Sequence, residues 1–476
     1  MSTSELVFIP SPGAGHLPST VELAKLLLHR DPRLSATIIL MKPSMGAKRN
    51  TETHPARLRF IDIPCDETVM SLITPKTLMS ALVQHHKPHV RDIVKGIMED
   101  HPHSVRLAGF VLDMFCIDMI DVANEFGAPS YTYFTSGAAM LGLMFYLQAK
   151  RDDEGFDVTE LRNSELELPV NTFVHPVPAK VLPEVVFDKE GGSKVFLHIA
   201  KRFRETKGII VNTFQELETH ALEQLTDESS SFSSSLPPVF AVGPILNLEK
   251  KAKVSDDELD IMRWLNEQPK SSVVFLCFGS KGGFSEEQVK EIAVGLERSG
   301  RRFLWSLRPP TAKGKIGNLL NEYENLEALL PEGFLERTSG VGKVIGWAPQ
   351  MEVLSHPSVG GFVSHCGWNS TLESMWCGVP MATWPLYAEQ QINAFQLVVE
   401  LGLAAEIKMD YRSGGSTELM VAAGEIEGGI RKLMGEDEMR KKVIEVKEKS
   451  RAAVVEGGSS YTSIGNFIHH VLSLSI

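Results

Sequence analysis

The sequence predicts an α/β protein of two domains, each built on a parallel sheet. Strand and helix patterns alternate along the chain, which is typical of βαβ units. The N-terminal half opens with the strand LVFIP, the turn PSPGAGHLP and the amphipathic helix TVELAKLLLHR, and a similar strand–turn pattern begins the C-terminal half at SSVVFLCFG. With 476 residues, 43% of them hydrophobic and 23% charged, the chain is long enough for two hydrophobic cores.

The first strand–turn–helix unit places His16 where the strand gives way to the helix. The glycines of segment 13–15 match the start of a dinucleotide fingerprint, but Pro18 stands in place of the third glycine and the second strand ends in Lys42 without an acidic residue for a ribose. These two differences argue against a dinucleotide-dependent oxidoreductase. An imidazole at the carboxyl end of a strand suits a general base, whereas a loop histidine without catalytic role is the alternative.

A histidine base needs a carboxylate to orient it, and Asp113 is the candidate. It ends the strand LAGFVLD, so it should lie at the same sheet edge as His16. Asp118 and Asp121 follow on a predicted helix, where we expect them on a solvated face away from that edge.

The window 347–390 carries the most informative pattern in the chain. GGFVSHC predicts a buried strand, and a helix is expected from Ser370 after the turn 367–369. The first N–H groups of a helix lack intrahelical partners and carry partial positive charge, so they can bind a phosphate near Asn369 and Ser370 without a metal. His365, just before the turn, adds a further donor. The pattern predicts a nucleotide-diphosphate site.

Other side chains of this window suit the rest of a nucleotide sugar. Trp347 offers a flat face for a base, and Glu373 can accept from two ribose hydroxyls. Glu389 and Gln390 follow another predicted strand, MATWP, where they can contact sugar hydroxyls.

Each residue of the window also has a simpler interpretation. Ser370 and Glu373 have the spacing of a capping box, which stabilises a helix start without any ligand. Trp347 and Trp368 taken singly are more often packing residues, and a lone His365 is more often structural. The joint pattern outweighs these alternatives.

That joint pattern resembles the signature of the plant secondary-product UDP-glycosyltransferases, glycosyltransferase family 1. The likeness includes WAPQ, HCGWNS, the helix glutamate and the closing Glu-Gln. It implies the GT-B fold, in which two Rossmann-like domains face each other across a cleft, and a UDP-sugar co-substrate, expected to be UDP-glucose. It implies donor contacts at Ser280, Thr135, Trp347, Ala348, Gln350, His365, Gly367, Trp368, Asn369, Ser370, Glu373, Glu389 and Gln390.

The resemblance also assigns roles within this set. Uracil is expected on Trp347, with Gln350 beside the nucleoside and Glu373 on the ribose. Trp368, Glu389, Gln390 and Thr135 are expected near the sugar, and the diphosphate is expected at Ser280, His365, Asn369 and Ser370. Many relatives have aspartate at position 389, so Glu389 keeps the carboxylate but extends its reach.

The implied chemistry is an inverting transfer. His16 would deprotonate an acceptor hydroxyl, with Asp113 fixing its tautomer and stabilising the imidazolium. One displacement on a UDP-α-sugar gives a β-glycoside without a covalent intermediate. The chain has no Asp-x-Asp motif, so we expect a metal-independent reaction without a further cofactor. The alternative is a catalytically silent protein that binds a UDP-sugar or another small molecule.

The expected domain boundaries follow from these assignments. Residues 1–245 would form the acceptor domain, 246–260 a charged linker, 261–452 the UDP-sugar domain, and 453–476 a helix packed back on the first domain. Loops within 76–95, 135–147 and 180–200 should line the acceptor pocket and suggest a bulky phenolic, flavonoid or terpenoid acceptor. Their apolar side chains include Phe145, Tyr146, Leu182 and Phe187.

Charge and cysteine content restrict partners and compartment. A net charge of −12 gives no general attraction to nucleic acid or anionic membranes. The five cysteines are odd in number and scattered, as expected of reduced packing residues. His85, His86 and His89 surround Pro88, which favours a solvated loop or helix end over a metal site. The start lacks a basic region and no run of about 18 apolar residues occurs, so we expect a monomeric cytoplasmic protein.

Overall fold

The computed structural model describes most of the chain. The described residues are 3–13, 15–42, 56–64, 78–100, 105–227, 236–248, 255–280, 282–310, 323, 325–412 and 419–474.

The N-terminal half alternates strands with helices, as the sequence predicts. Its strands are β1 Thr3–Ile9, β2 Leu34–Lys42, β3 Leu58–Pro64, β4 Val105–Asp113, β5 Ser130–Phe134, β6 Glu167–Leu168, β7 Val177–Pro178, β8 Ile209–Val211 and β9 Val239–Ala241. Its α-helices are α1 Leu17–Arg30, α2 Leu78–Asp100, α3 Ile120–Glu125, α4 Ala138–Glu154, α5 Gly192–Phe203 and α6 Thr219–Thr226. Short 3₁₀ helices cover Met114–Met119, Val158–Asn163, Ala179–Val181 and Glu184–Phe187.

The main N-terminal sheet is parallel throughout, in the order β3-β2-β1-β4-β5-β8-β9. The strand order reverses between β1 and β4, which pair from Thr3 to Ile9. In open α/β sheets ligands bind at such a reversal, beyond the carboxyl ends of the strands. His16 follows β1 and Asp113 ends β4, so both lie at this point. Strands β6 and β7 form a small antiparallel pair apart from this sheet.

The C-terminal half repeats the architecture. Its strands are β10 Val273–Cys277, β11 Arg302–Ser306, β12 Gly342–Ile345, β13 Val359–Ser364, β14 Met381–Thr383 and β15 Ala404–Glu406. Its helices are α7 Asp256–Asn266, α8 Glu286–Ser299, α9 Leu326–Leu329, α10 Phe334–Thr338, α11 Gln350–Leu354, α12 Trp368–Cys377, α13 Gln390–Phe395, α14 Ala423–Gly435, α15 Asp437–Val454 and α16 Ser459–Leu474. A π-helical turn, Gln396–Glu400, continues α13.

The C-terminal sheet is also parallel, in the order β12-β11-β10-β13-β14-β15. Its order reverses between β10 and β13, so Ser280, after β10, and His365, after β13, lie at the second reversal. The prediction of an α/β protein with two parallel sheets is confirmed.

Two helix limits lie close to the predicted domain boundaries, which stay predictions. The proposed linker 246–260 ends inside α7, because Ser255 and Glu258 form a capping box that starts the helix at Asp256. Residues 249–254 lie outside the described part of the chain. At the other end, α15 runs to Val454 and α16 begins at Ser459, so the break lies slightly beyond the expected position 453.

The last helix, α16, packs on the N-terminal half. Its Phe467 lies in the same buried cluster as Tyr131 and Phe240, with 5.2 Å between the ring centroids of Phe467 and Tyr131. The guanidinium of Arg30 stacks on the ring of Tyr461 at 3.3 Å from its centroid. The carboxylate of Glu400 also joins the two halves, because it accepts hydrogen bonds from the N–H groups of Val174 and His175.

Several side chains expected in the acceptor pocket belong instead to the N-terminal core. Phe145 and Leu182 are fully buried, and Tyr146 and Phe187 are nearly so. The ring of Phe145 packs against Phe203, with centroids 6.3 Å apart. Composition alone cannot separate such core residues from pocket residues, since both are apolar.

The histidine cluster also differs from expectation. His86 lies in the interior of α2 with no exposed surface, and its Nδ1 lies 2.8 Å from the carbonyl of Leu82. Pro88 does not end this helix, which continues to Asp100. The prediction of a solvated loop or helix end is therefore wrong for His86.

Candidate active site

The reversal of strand order in the N-terminal sheet brings His16 and Asp113 together although 97 positions separate them. Asp113 is buried, and its Oδ2 lies 2.7 Å from Nδ1 of His16. Its Oδ1 accepts a hydrogen bond from the N–H of Phe115 at 3.0 Å, which fixes the carboxylate. An ionised carboxylate only accepts, so Nδ1 carries the proton and the basic lone pair is on Nε2. This arrangement suits a general base.

The loop before α1 helps to position the imidazole of His16. A Cβ at Gly13 would lie 2.9 Å from Cδ2 of His16, so glycine lets the ring approach the main chain closely. The carbonyl of His16 accepts from the hydroxyls of Ser19 and Thr20 in the first turn of α1. The ring is positioned by its own segment as well as by Asp113.

The neighbouring acidic residues lie elsewhere, as expected. Asp118 pairs with His198 at 2.8 Å, and Asp121 pairs with Lys87 and Arg202. These are ion pairs on the outer face of the N-terminal half.

Thr135 has a different neighbour from the one that the resemblance implies. Its hydroxyl lies 3.0 Å from Nδ1 of His16, and the residue is buried just after β5. Nδ1 therefore has two oxygen neighbours, the Asp113 carboxylate and this hydroxyl. Thr135 thus contacts the imidazole of the proposed base, and its contact with the sugar stays a prediction.

In the C-terminal half, the helix after β13 starts two residues earlier than expected. α12 begins at Trp368 with Gly367 as its N-cap, and within the described chain no side chain caps it. Ser370 and Glu373 are thus inside the helix and do not form the capping box that their spacing allows. The uncapped N–H groups at this end suit an anion.

His365 lies beside that helix start as a neutral imidazole. Burial lowers its pKa to about 4, so the ring is uncharged near neutral pH. A Cβ on either Gly279 or Gly367 would lie 2.6 Å from its Nε2, and Gly279 has φ +74°. Because neither glycine carries a Cβ, no side chain of theirs covers the Nε2 edge of the His365 imidazole. Its Nδ1 is buried without a hydrogen-bond partner among the described residues.

A preformed hydrogen-bond cluster lies one turn further along α12. Nε2 of Gln350 donates to Oγ of Ser370 at 2.8 Å and to Oε2 of Glu373 at 2.6 Å. Burial raises the pKa of Glu373 to about 7, which the Gln350 hydrogen bond partly offsets. Trp347, by contrast, has 45% of its surface exposed, while Ala348 beside it is buried. An exposed indole next to a polar cluster suits a base and its ribose.

Two residues of the turn touch the opposite half of the molecule. Nδ2 of Asn369 donates to the carbonyl of Gly15, next to His16, at 2.7 Å. The indole of Trp368 is buried, and its Nε1 donates to the carbonyl of Asn212 at 2.7 Å. The indole N–H is therefore engaged by the other half of the molecule, and the contact of Trp368 with the sugar stays a prediction. Local sequence could not show which way the ring turns.

Glu389 and Gln390 lie at the start of α13. Burial raises the pKa of Glu389, and a hydrogen bond from its own main-chain N–H and the charge of a protonated His16 oppose that rise. Oε1 of Gln390 accepts from the N–H groups of Leu386 and Tyr387 at 2.8 and 3.0 Å. Gln390 therefore also holds the loop after β14 in place.

Two side chains at this site were missed by sequence reasoning. Nη1 of Arg308 donates to the carbonyl of Ser280 at 3.2 Å, which adds a positive charge beside the loop after β10. Phe115 lies with its ring centroid 5.3 Å from that of His16 and is 38% exposed. Arg308 closely follows a predicted strand, which was an available signal, whereas the exposure of Phe115 had none.

In the described part of the chain, no helix is both long and apolar enough to cross a membrane. Within the same ranges, no three His, Cys, Asp or Glu side chains come together as metal ligands.

Comparisons with known proteins agree with this geometry. The family model for UDP-glucoronosyl and UDP-glucosyl transferase matches residues 231–428. UDP-glycosyltransferase 71E1 of Stevia rebaudiana is 71% identical, with all of both chains covered. UDP-glucose flavonoid 3-O-glucosyltransferase 6 of Fragaria ananassa is 53% identical over 98% of each chain.

Solved structures match over nearly the whole chain as well. A transferase from Siraitia grosvenorii in complex with UDP superposes with a TM-score of 0.87 at 47% identity, covering 99% of this chain and 100% of the other. UGT71G1 of Medicago truncatula complexed with UDP-glucose gives a TM-score of 0.84 at 43% identity over 98% of each chain. With two facing parallel-sheet domains and relatives of this identity, the chain belongs to the plant UDP-glycosyltransferase family and has its GT-B fold.

Proposed function

We propose that this enzyme transfers glucose from UDP-glucose to a hydroxyl of an aromatic or other apolar acceptor, giving a β-glucoside with inversion. The observation that carries the mechanism is the 2.7 Å contact between Nδ1 of His16 and the buried carboxylate of Asp113. It supports an Nε2 base whose protonated form the carboxylate stabilises. A protein that only binds a UDP-sugar needs no such pair.

The donor is bound from the C-terminal half. The uncapped start of α12, the neutral imidazole of His365 and the guanidinium of Arg308 offer hydrogen bonds and positive charge to the diphosphate. Trp347 stacks on the uracil, and Glu373 accepts from the ribose. As the glycosidic bond to UDP breaks, the charge that develops on the leaving phosphate oxygen is stabilised by the same donors.

The transfer itself needs one displacement. Nε2 of His16 takes the proton of the acceptor hydroxyl, and the oxygen attacks the anomeric carbon from the side opposite UDP. The C–O bond to the acceptor forms as the bond to UDP breaks, so the configuration inverts. Glu389 and Gln390, at the start of α13, orient the sugar hydroxyls.

The acceptor class follows from the surroundings of His16. The exposed ring of Phe115 provides an apolar face beside the base. A relative that is 53% identical is named a flavonoid 3-O-glucosyltransferase, which favours flat phenolic acceptors. Metal independence, a monomeric state and a cytoplasmic location stay predictions from the sequence.

The decisive experiment is incubation of the purified protein with UDP-glucose and a panel of flavonoids and simple phenols, with UDP release and product mass as readouts. His16→Ala should abolish transfer to hydroxyls and leave UDP affinity nearly unchanged. Tight UDP binding without turnover of any acceptor would favour the silent binding protein. Equal loss of binding and transfer in His16→Ala would make His16 a donor-binding or structural residue.

A further inference from the structure

A buried carboxylate outside the proposed site joins the two halves beside the cleft. Glu218 lies between β8 and α6 and has only 3% of its surface exposed. Its Oε2 accepts from the N–H of Ala138 at 2.8 Å, and its Oε1 accepts from the N–H of Ala139 at 2.9 Å. These are the first two N–H groups of α4, a 17-residue helix without a capping side chain at Gly137. The carboxylate satisfies both donors and balances the positive end of the helix.

The same carboxylate has a third partner from the other half. Nε2 of Gln396 donates to Oε1 of Glu218 at 2.7 Å, and Gln396 is buried. Gln396 begins the π-helical turn that continues α13, whose first residue is Gln390 and whose N-cap is Glu389. A single buried oxygen therefore links α4 to the helix that carries two proposed sugar-contacting residues.

The start of α4 is in turn continuous with the surroundings of the base. Thr135, whose hydroxyl lies 3.0 Å from Nδ1 of His16, precedes Gly137 by two residues. A Cβ at Gly137 would lie 2.8 Å from Oε1 of Glu218 and 2.9 Å from the ring of Trp368. The segment 135–137 is thus packed between the imidazole on one side and this carboxylate on the other.

We propose that Glu218 is a positioning residue for the transfer reaction. By holding α4 and Gln396 at once, it sets the distance between the His16 imidazole and the sugar-contacting start of α13. It touches neither donor nor acceptor and acts through Thr135 and Gln396. The inference rests on the proposed role of His16 as the base.

A carboxylate that only joins the two domains should affect stability but not kcat. Glu400 serves as the matched control for such a contact. Glu400 accepts from the N–H groups of Val174 and His175 at 2.8 and 2.9 Å and from the ring of His175. It too joins the two halves through main-chain N–H groups, but its hydrogen bonds go to residues 174–175 and not to the start of α4. Loss of either carboxylate weakens the domain contact, whereas only loss of Glu218 should disturb the base.

The test compares Glu218→Gln with Glu400→Gln in the full-length protein. An amide at 218 must present an N–H to a donor, so at least one of its three hydrogen bonds is lost. We expect kcat to fall roughly 10- to 100-fold in Glu218→Gln, because small misplacements of reacting groups have effects of that size. The Kd for UDP, measured by calorimetry, should stay within about twofold, since UDP contacts lie on the other half. Glu400→Gln should retain kcat.

Exchanging the carboxylate and the amide between positions 218 and 396 gives a second test of the positioning role. In Glu218→Gln/Gln396→Glu the carboxylate at 396 accepts from the amide at 218, which restores the link between the halves. We expect this double variant to recover part of the lost kcat, because the amide that donates to the carboxylate at 396 no longer accepts from the N–H of Ala139. Gln396→Glu alone places two carboxylates together and should lower kcat. Recovery of kcat in the double variant, with the Kd for UDP equal in all variants, supports positioning.

The outcomes that overturn the inference are distinct from failure of the proposed function. If wild-type protein transfers glucose but Glu218→Gln keeps its kcat, Glu218 does not position the site. A similar loss of kcat in Glu400→Gln, or a double variant no better than the single ones, would reduce Glu218 to a domain contact. If the wild type itself transfers no glucose to any acceptor, the proposed function fails first.

Discussion

Replacing Glu373 by glutamine should make the ligand-free protein more stable at high pH while weakening its hold on UDP. Burial raises the pKa of this carboxyl from 4.5 to about 7. The folded protein therefore binds the proton more tightly than the unfolded chain does, and ionisation of Glu373 destabilises the fold as pH rises from 4.5 towards 7. Glutamine does not titrate and can still accept from Gln350.

The size of the effect follows from the shift. A difference of about 2.5 pH units at about 1.4 kcal/mol per unit gives about 3.5 kcal/mol. The advantage of Glu373→Gln should be near zero at pH 4, grow between pH 4.5 and 7, and level off above pH 7. For a domain of this size it corresponds to on the order of 5–10 °C in Tm.

The assay is thermal unfolding of wild type and Glu373→Gln without ligand from pH 5 to 8.5, followed by UDP titration at pH 7.5. The neutral side chain should weaken UDP binding about 10- to 100-fold, because hydrogen bonds to a charged acceptor are stronger than those to a neutral one. Glu352→Gln is the control, since Glu352 is exposed two residues after Gln350. A difference in Tm that is constant with pH, or that shrinks as pH rises, would refute the reasoning.

Four further outcomes are expected. Trp347→Ala should weaken UDP binding by about 1–3 kcal/mol, or 5- to 150-fold, with Tm unchanged because the indole is exposed; calorimetry and melting check both, and a large drop in Tm would contradict it. Gly279→Ala should lower stability by about 1–3 kcal/mol and weaken UDP binding, because its φ is +74° and its Cβ would meet His365; a variant with normal Tm and affinity would count against this. Asp113→Asn should lower kcat on the order of 10³-fold or more while the Kd for UDP holds, because the tautomer of His16 is no longer set; a change confined to KM would exclude that role. EDTA should leave the rate unchanged, and loss that a divalent ion restores would disprove metal independence.

Much of this molecule could be predicted from local patterns because those patterns record local physics. Buried β-rich runs alternating with amphipathic helices favour parallel sheets, and both main sheets are parallel. The helix after β13 was predicted from its turn and period, although it starts at Trp368 and not at Ser370. The capping box at Ser255 was equally visible in the sequence, yet that stretch was interpreted as linker.

Other features depend on contacts that no local pattern contains. The indole of Trp368 turns towards Asn212, 156 positions away, and Thr135 lies against His16 because β1 and β5 flank β4. Whether Phe145 packs in the core or lines a pocket depends on its neighbours in space, not on its own polarity.

The sequence by itself determined which chemical groups are present and at which strand ends they lie, since strand and helix periodicity are short-range properties. It thereby predicted the imidazole, the carboxylate and the anion-binding helix start. Only the tertiary structure decided how these groups meet, because strand order and domain packing set side-chain directions over hundreds of positions. The hydrogen bond between Glu218 and Gln396, which are 178 positions apart, is likewise visible only in the tertiary structure.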